Sequence, residues 1–236
     1  MDWLAAVDAY CERTDPGYWS EPVNAVTNLA FLLSAAVMAQ RLRPHGRHAV
    51  PGAHRAAGWL LVGMLAAIGV GSWLFHTHAN RLTGLMDVVP ILGFILVYLF
   101  LAARDFLGLG RGWAAAVTAG FVPWAAVLAP LFAQLPALRA AAGYAPVALL
   151  IALFAVLLWH RAPATARGLA LGAGLLALSL VFRSLDLPLC EALPLGTHFM
   201  WHLINALMLG WMIEVWRRHV CAAGSARPSL PRADVA

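Results

Sequence analysis

The sequence predicts an all-α integral membrane protein: a bundle of seven transmembrane helices, with the N-terminus outside and the C-terminus in the cytoplasm. Three observations predict it. Of the 236 residues, 62% are hydrophobic and only 11% charged, against roughly 25% charged in a soluble domain, so a water-exposed surface could not be covered. Apolar windows near the ~20 residues that cross hydrocarbon recur along most of the length. All sixteen basic residues are arginines, and they fall unevenly on alternate loops, as cytoplasmic loops require.

The opening Met1-Asp2-Trp3-Leu4 has no basic region and does not read as a cleaved signal peptide, so residues 1–21 form an extracytoplasmic segment. Helical spans follow at 22–41, 56–77, 83–103, 112–132, 145–160, 167–186 and 197–216, making residues 22–216 one membrane domain. Residues 217–236 read as a basic cytoplasmic tail, disordered from about Gly224. With seven crossings, Arg41, Arg43, Arg47, Arg55, Arg104, Arg111, Arg161, Arg167, Arg217, Arg218, Arg227 and Arg232 share one side, and Arg13, Arg81 and Arg139 the other. Twelve against three puts the first group inside. Trp19, Trp73, Trp113, Trp159 and Trp216 sit near span ends, where indoles favour the interface. The net charge of +5 is thus a matter of topology, and no nucleic-acid partner is indicated. Cys11, Cys190 and Cys221 make an odd count, compatible with one oxidised pair.

Polar groups inside a membrane are costly, so each is a functional candidate. They are Ser72, His76 and His78 near the end of the second span, Asp87 early in the third, Arg183 and Asp186 late in the sixth, and His198 and His202 early in the seventh. In the assigned topology all lie toward the outer leaflet. His198 and His202 are four residues apart, which stacks both rings on one helix face; Ser72 and His76 repeat the spacing. Three histidines with a fourth position left for water are the donor set of a catalytic zinc, although imidazole suits other transition metals too. Asp87 would then carry the proton, and Ser72 would donate to a developing oxyanion. Each histidine alone reads equally as a hydrogen-bonded interfacial side chain, and Ser72 as a small residue at a helix contact. The two matched pairs at one depth, followed by a carboxylate, favour a site. His78 reads as interfacial, and His45, His48, His54, His160 and His219 as cytoplasmic loop or headgroup-level residues.

At Gly71-Ser72-Trp73-Leu74-Phe75-His76, with Asp87 following, and at His198-Phe199-Met200-Trp201-His202, the sequence resembles the alkaline ceramidase family, part of a superfamily of seven-helix membrane hydrolases that includes relatives of the adiponectin and progestin receptors. The resemblance extends through Tyr10–Asn28 and so reaches both ends of the membrane domain. It implies His76, His198 and His202 as zinc ligands, Asp87 as the group that activates water, Ser72 as the oxyanion donor, and hydrolysis of ceramide to a sphingoid base and a fatty acid. It further implies lateral entry of the lipid into a long apolar cavity, and a disulfide between Cys11 and Cys190, leaving Cys221 as the cytoplasmic thiol. Asp186 fits an acidic position of the family, though a plain ion pair with Arg183 reads as well.

Eukaryotic family members also hold calcium on the N-terminal segment. Tyr10 through its carbonyl, Glu12 and Glu21 match that site, whereas Ala9 and Thr14 replace an aspartate and an asparagine, and the stretch between the glutamates is shorter. Asp15 would have to compensate, since calcium accepts variable oxygen sets; an acidic outer face with a helix N-cap is the competing account. Alternatives to a ceramidase are a receptor-like or regulatory seven-helix protein with a structural metal, a hydrolase of another N-acyl lipid, and a transporter or haem protein. A lysine-free, Ala-, Gly- and Arg-rich composition points to a bacterial inner membrane.

Overall fold

The computed structural model describes residues 2–43 and 50–225. Among them every regular element is helical. α1 (Pro22–Thr27) and α2 (Leu29–Leu42) form one rod, α3 (Gly52–His78) the next, and α4 (Arg81–Leu101) continues into a π-helical turn, Ala102–Phe106. α5 (Arg111–Ala119) and α6 (Phe121–Ala133) follow; a 3₁₀ turn, Pro136–Ala141, leads into α7 (Ala145–Leu158). α8 (Pro163–Leu185) and a 3₁₀ turn, Leu187–Leu189, precede α9 (His198–Ser225).

Among the described residues, six rods are long and apolar enough to cross a membrane: Pro22–Leu42, Gly52–His78, Arg81–Phe106, Arg111–Ala133, Pro163–Leu185 and His198–Gly224, with Ala145–Leu158 apolar but shorter. The first expected span is broken at Asn28, whose side-chain amide donates to the carbonyl of Asn24 at 2.9 Å, and the fourth is broken at Gly120. α9 runs past its expected end at 216. Arg217 and Arg218 pair with Glu214 on adjacent turns and Val220 is buried, so polar residues that read as a tail form the outward face of a helix. The remainder of that tail, with Arg227 and Arg232, and the 44–49 loop with His45, Arg47 and His48 lie outside the described residues.

The core gathers Leu61, Leu65, Leu158, Leu169, Ile213 and Trp216. α3 packs on α4, α8 on α7 and α9, and α2 on both α3 and α9. Trp216 is fully buried and donates its indole N–H to Asp105 at 2.7 Å, so it is a core residue rather than an interfacial one. His54 stands 3.4 Å from the same carboxylate, and His219 contacts the Asp105 carbonyl and the Thr165 hydroxyl. These two histidines therefore belong to a buried polar cluster between helices. His160 is exposed in a turn.

At the opposite end the N-terminal segment is strapped across the α3–α4 turn: Val7 donates to Ala79 at 2.8 Å, and Arg81 and Leu82 donate back to Ala5 and Trp3 at 3.1 and 3.0 Å. The turn itself is local chemistry. Ala79 takes a left-handed conformation, φ 43°, and Asn80 caps α4 reciprocally with Thr83. Below it, a Cβ on Gly71 would run into the Met86 backbone, so only glycine allows α3 and α4 to approach this closely. Cys11 is bonded to Cys190. Asp186 accepts the backbone N–H groups of Cys11, Thr197 and His198 at 3.0, 2.8 and 2.9 Å, capping α9 and pinning the strap over it. Gly196 permits this with φ 67°, where a Cβ would strike Asp186 and Cys11.

Candidate active site

His76 sits in the last turn of α3, and His198 and His202 in the first turns of α9; all three are about 1% exposed. Their ring centroids are 5.2, 4.8 and 4.6 Å apart in pairs, and one ligand atom on each lies within 4.8 Å of the others. The hydrogen bonds assign the tautomers of two rings. Nδ1 of His76 is 2.6 Å from a Glu21 carboxylate oxygen, which accepts, so that nitrogen bears the proton. Nδ1 of His202 is 3.0 Å from the Thr27 hydroxyl, whose own proton has the Val23 carbonyl at 2.7 Å; the hydroxyl thus accepts from the ring. In both cases Nε2 keeps its lone pair. Nε2 of His76, Nε2 of His202 and Nδ1 of His198 are buried with no hydrogen-bond partner among the described residues. Unpartnered buried ring nitrogens are expensive, and three histidines that each bring a ring nitrogen within 4.8 Å of the others have the donor chemistry of a transition-metal site. The residues present fit a metal ion.

Ser72, one turn before His76, is buried and faces the side chain of Asp87 across the Gly71–Met86 contact. Around the triad, the Tyr10 ring stacks on His198 at 3.9 Å and lies 4.9 Å from His76. Arg183 donates to the Tyr10 hydroxyl at 3.4 Å and sits over the rings of Tyr10, Tyr144 and Trp201. It makes no ion pair with Asp186 among the described residues, because Asp186 is occupied by backbone N–H groups. Burial pushes the Tyr10 phenol above its ordinary range, with the Arg183 guanidinium pulling the other way. One turn deeper, Phe31, Trp201 and Asn205 open on an apolar cavity of about 90 Å³ that reaches Tyr98 and Met212 between the helices.

The residues expected to hold calcium are arranged differently. Glu12 accepts the N–H groups of Val23 and Asn24 at 2.7 and 2.8 Å, satisfying the start of α1; burial pushes its carboxyl up, and those two bonds oppose the shift. Asp15 turns back onto the N–H of Gly17 at 2.6 Å and is exposed. The Tyr10 carbonyl accepts from the N–H of Arg13. Glu21 takes the Nε of Arg13 on one oxygen at 2.5 Å and His76 on the other. His78 lies outside the triad, edge-on to Tyr18. Glu21 and Thr27 as histidine partners, and Arg13, were not read as such from the sequence. Glu21–Pro22 at a helix start was visible, but nothing local links it to a ring far along the chain.

Fold and site define a multi-pass helical membrane protein with a buried three-histidine centre, a serine one helical turn from it facing an aspartate, and an apolar cavity beneath. The Ceramidase family model matches residues 8–226. The chain belongs to the Ceramidase family; it is of a hydrolase class, and its membership supports a ceramide-hydrolysing role. No curated protein matches it.

Proposed function

We propose that the protein is a zinc-dependent intramembrane amidase that hydrolyses ceramide to a sphingoid base and a fatty acid. The observation that carries this is the convergence of three buried histidines, each with an unpartnered ring nitrogen, one helical turn from Ser72, which faces Asp87. His76, His198 and His202 would hold the ion. Zinc there would polarise a carbonyl and acidify water, allowing amide hydrolysis near neutral pH. Asp87 takes the proton from water and passes it to the leaving amine. Ser72 donates to the oxygen on which charge develops, in a site dry enough to strengthen that bond. The apolar cavity holds part of one acyl chain and keeps bulk water from the reacting carbonyl. A purely structural metal would need neither Asp87 nor Ser72.

The same proposal has seven crossings, an outside N-terminus and a cytoplasmic C-terminus. The Cys11–Cys190 bond supports the count by parity. Both cysteines must face one side, so an even number of crossings separates them, which requires α7 to cross with the five other rods in between. The arginine distribution supports the orientation, as does the oxidising side that a disulfide prefers. The lysine-free, Ala-, Gly- and Arg-rich composition is what supports a bacterial inner membrane as its location.

The test is metal analysis and lipid hydrolysis on the purified protein, with ceramides and other N-acyl lipids as substrates. His202→Ala should lose zinc and activity together. Asp87→Asn should retain most of the zinc while turnover falls by about 10²–10⁴-fold, the usual worth of a general acid–base group. Turnover surviving in both variants refutes the mechanism; cleavage confined to other N-acyl lipids replaces the substrate.

A further inference from the structure

We propose that the guanidinium of Arg13 takes the place of a calcium ion in the N-terminal segment, so that the protein works without calcium and Arg13 positions His76 through Glu21. The positioning half rests on the zinc reading above; the calcium half does not.

Arg13 is 8% exposed and Glu21 2%, so this is a buried cation against a buried carboxylate. Nε of Arg13 donates to Glu21 at 2.5 Å. One terminal nitrogen faces the carbonyl oxygens of Asp15 and Gly17 at 3.2 and 3.5 Å, and the other donates to the carbonyl of His76 at 3.1 Å. A carboxylate with several inward carbonyls is the oxygen set that calcium takes at 2.3–2.6 Å, and here a planar, permanently charged donor fork fills it. The other carboxylates expected of the site are committed elsewhere: Glu12 to the N-terminus of α1 and Asp15 to its own turn. A divalent ion would have to displace the guanidinium or sit beside it, a repulsion that burial makes severe. The residues present therefore do not fit calcium.

The geometry also gives Arg13 a task. His76 ends α3, where carbonyls lack helical partners, and Arg13 takes the His76 carbonyl directly. It holds one oxygen of Glu21 while the other receives the Nδ1 proton of His76. Main chain and ring of one residue are thus gripped by one cation, directly at the carbonyl and through Glu21 at Nδ1, which fixes the ring's tautomer and orientation and leaves Nε2 buried and unpartnered. Partners of this kind tune metal affinity by orienting the ligand.

The test uses the purified full chain. In the wild type, metal analysis after dialysis should find no stoichiometric calcium, and the thermal midpoint should be the same in EGTA and in millimolar calcium chloride. Arg13→Ala should weaken zinc affinity about 10–100-fold against a competing chelator, measured where circular dichroism shows the helices intact, and should alter the visible spectrum of the cobalt-substituted protein. Arg13→Lys, which keeps the charge but loses the fork, should recover part of the affinity; Glu21→Gln supplies the same readout should Arg13→Ala fail to fold. One calcium per chain in the wild type, or a calcium-dependent rise of several degrees in its midpoint, overturns the calcium half. Unchanged zinc affinity and cobalt spectrum in Arg13→Ala overturn the positioning half. Absence of zinc from the wild type would instead sink the proposed function and the positioning with it, leaving the calcium result to stand alone.

Discussion

His76 and His202 each surrender Nδ1 to a protein oxygen and keep Nε2 for the centre. The two arrangements differ in strength: Glu21 offers a carboxylate, whereas Thr27 offers a hydroxyl whose single proton is already directed at the Val23 carbonyl. That difference is measurable. Thr27→Val keeps the shape and removes the acceptor, so zinc affinity should fall by about 10-fold, the lower end for loss of a ligand's orienting partner, with little change in thermal midpoint; chelator competition on the purified variant checks it. An unaltered affinity would mean that packing alone orients the ring. At this scale the metal-ligand candidates were legible, because i, i+4 spacing survives in sequence as a face of a helix. Their partners were not, since Thr27 lies 175 residues from His202 and Glu21 lies 55 from His76, and no local pattern connects them. Arg13 shows the same limit: as one arginine in a loop it read as a topology marker, and only the fold brings it to Glu21.

Between elements, the position of Ser72 against Asp87 depends on how closely α3 meets α4. Gly71 sets that distance, since a methyl there would collide with the backbone of Met86, and a main-chain obstacle cannot rotate away. Gly71→Ala should therefore force the helices apart, costing about 1–3 kcal/mol as overpacking generally does. It should also lower turnover more than zinc content, because His76 has its own anchor on Glu21 while the Ser72–Asp87 contact spans the opened seam. Thermal unfolding, metal analysis and ceramide turnover on one preparation separate these effects; turnover preserved at full stability would show that the seam does not set the site. Hydropathy located the rods well where apolar stretches are long. It missed the breaks at Asn28, whose side chain bonds back to the Asn24 carbonyl, and at Gly120, neither of which changes mean hydropathy. It also ended α9 too early, because the arginines that pair with Glu214 look like a tail until the helix is seen to continue.

Over the whole molecule, the strap joins residues at both extremes of the membrane domain, with a sequence separation of 179 from Cys11 to Cys190. Nothing in either cysteine's neighbourhood marks the other as its partner, so the pairing entered the sequence reading only through the family resemblance. The bond has a mechanical consequence. Cys190 leads into the loop before α9 and Cys11 follows Tyr10, whose ring lies on His198, so the covalent tie and the Asp186 hydrogen bonds together hold the strap on the histidine-bearing end. Cys190→Ser should lower stability by about 2–4 kcal/mol, the common range for a lost disulfide, and should weaken zinc affinity as Tyr10 and the first turn of α9 loosen. Cys11→Ser should do the same. The double variant should match either single one, because the second substitution removes nothing that the first left in place. Thermal unfolding and chelator competition on the three variants provide the comparison. A double variant far below both singles would mean that each cysteine stabilises through its own packing, and non-reducing peptide mapping of the wild type would then be expected to find Cys11 and Cys190 unlinked.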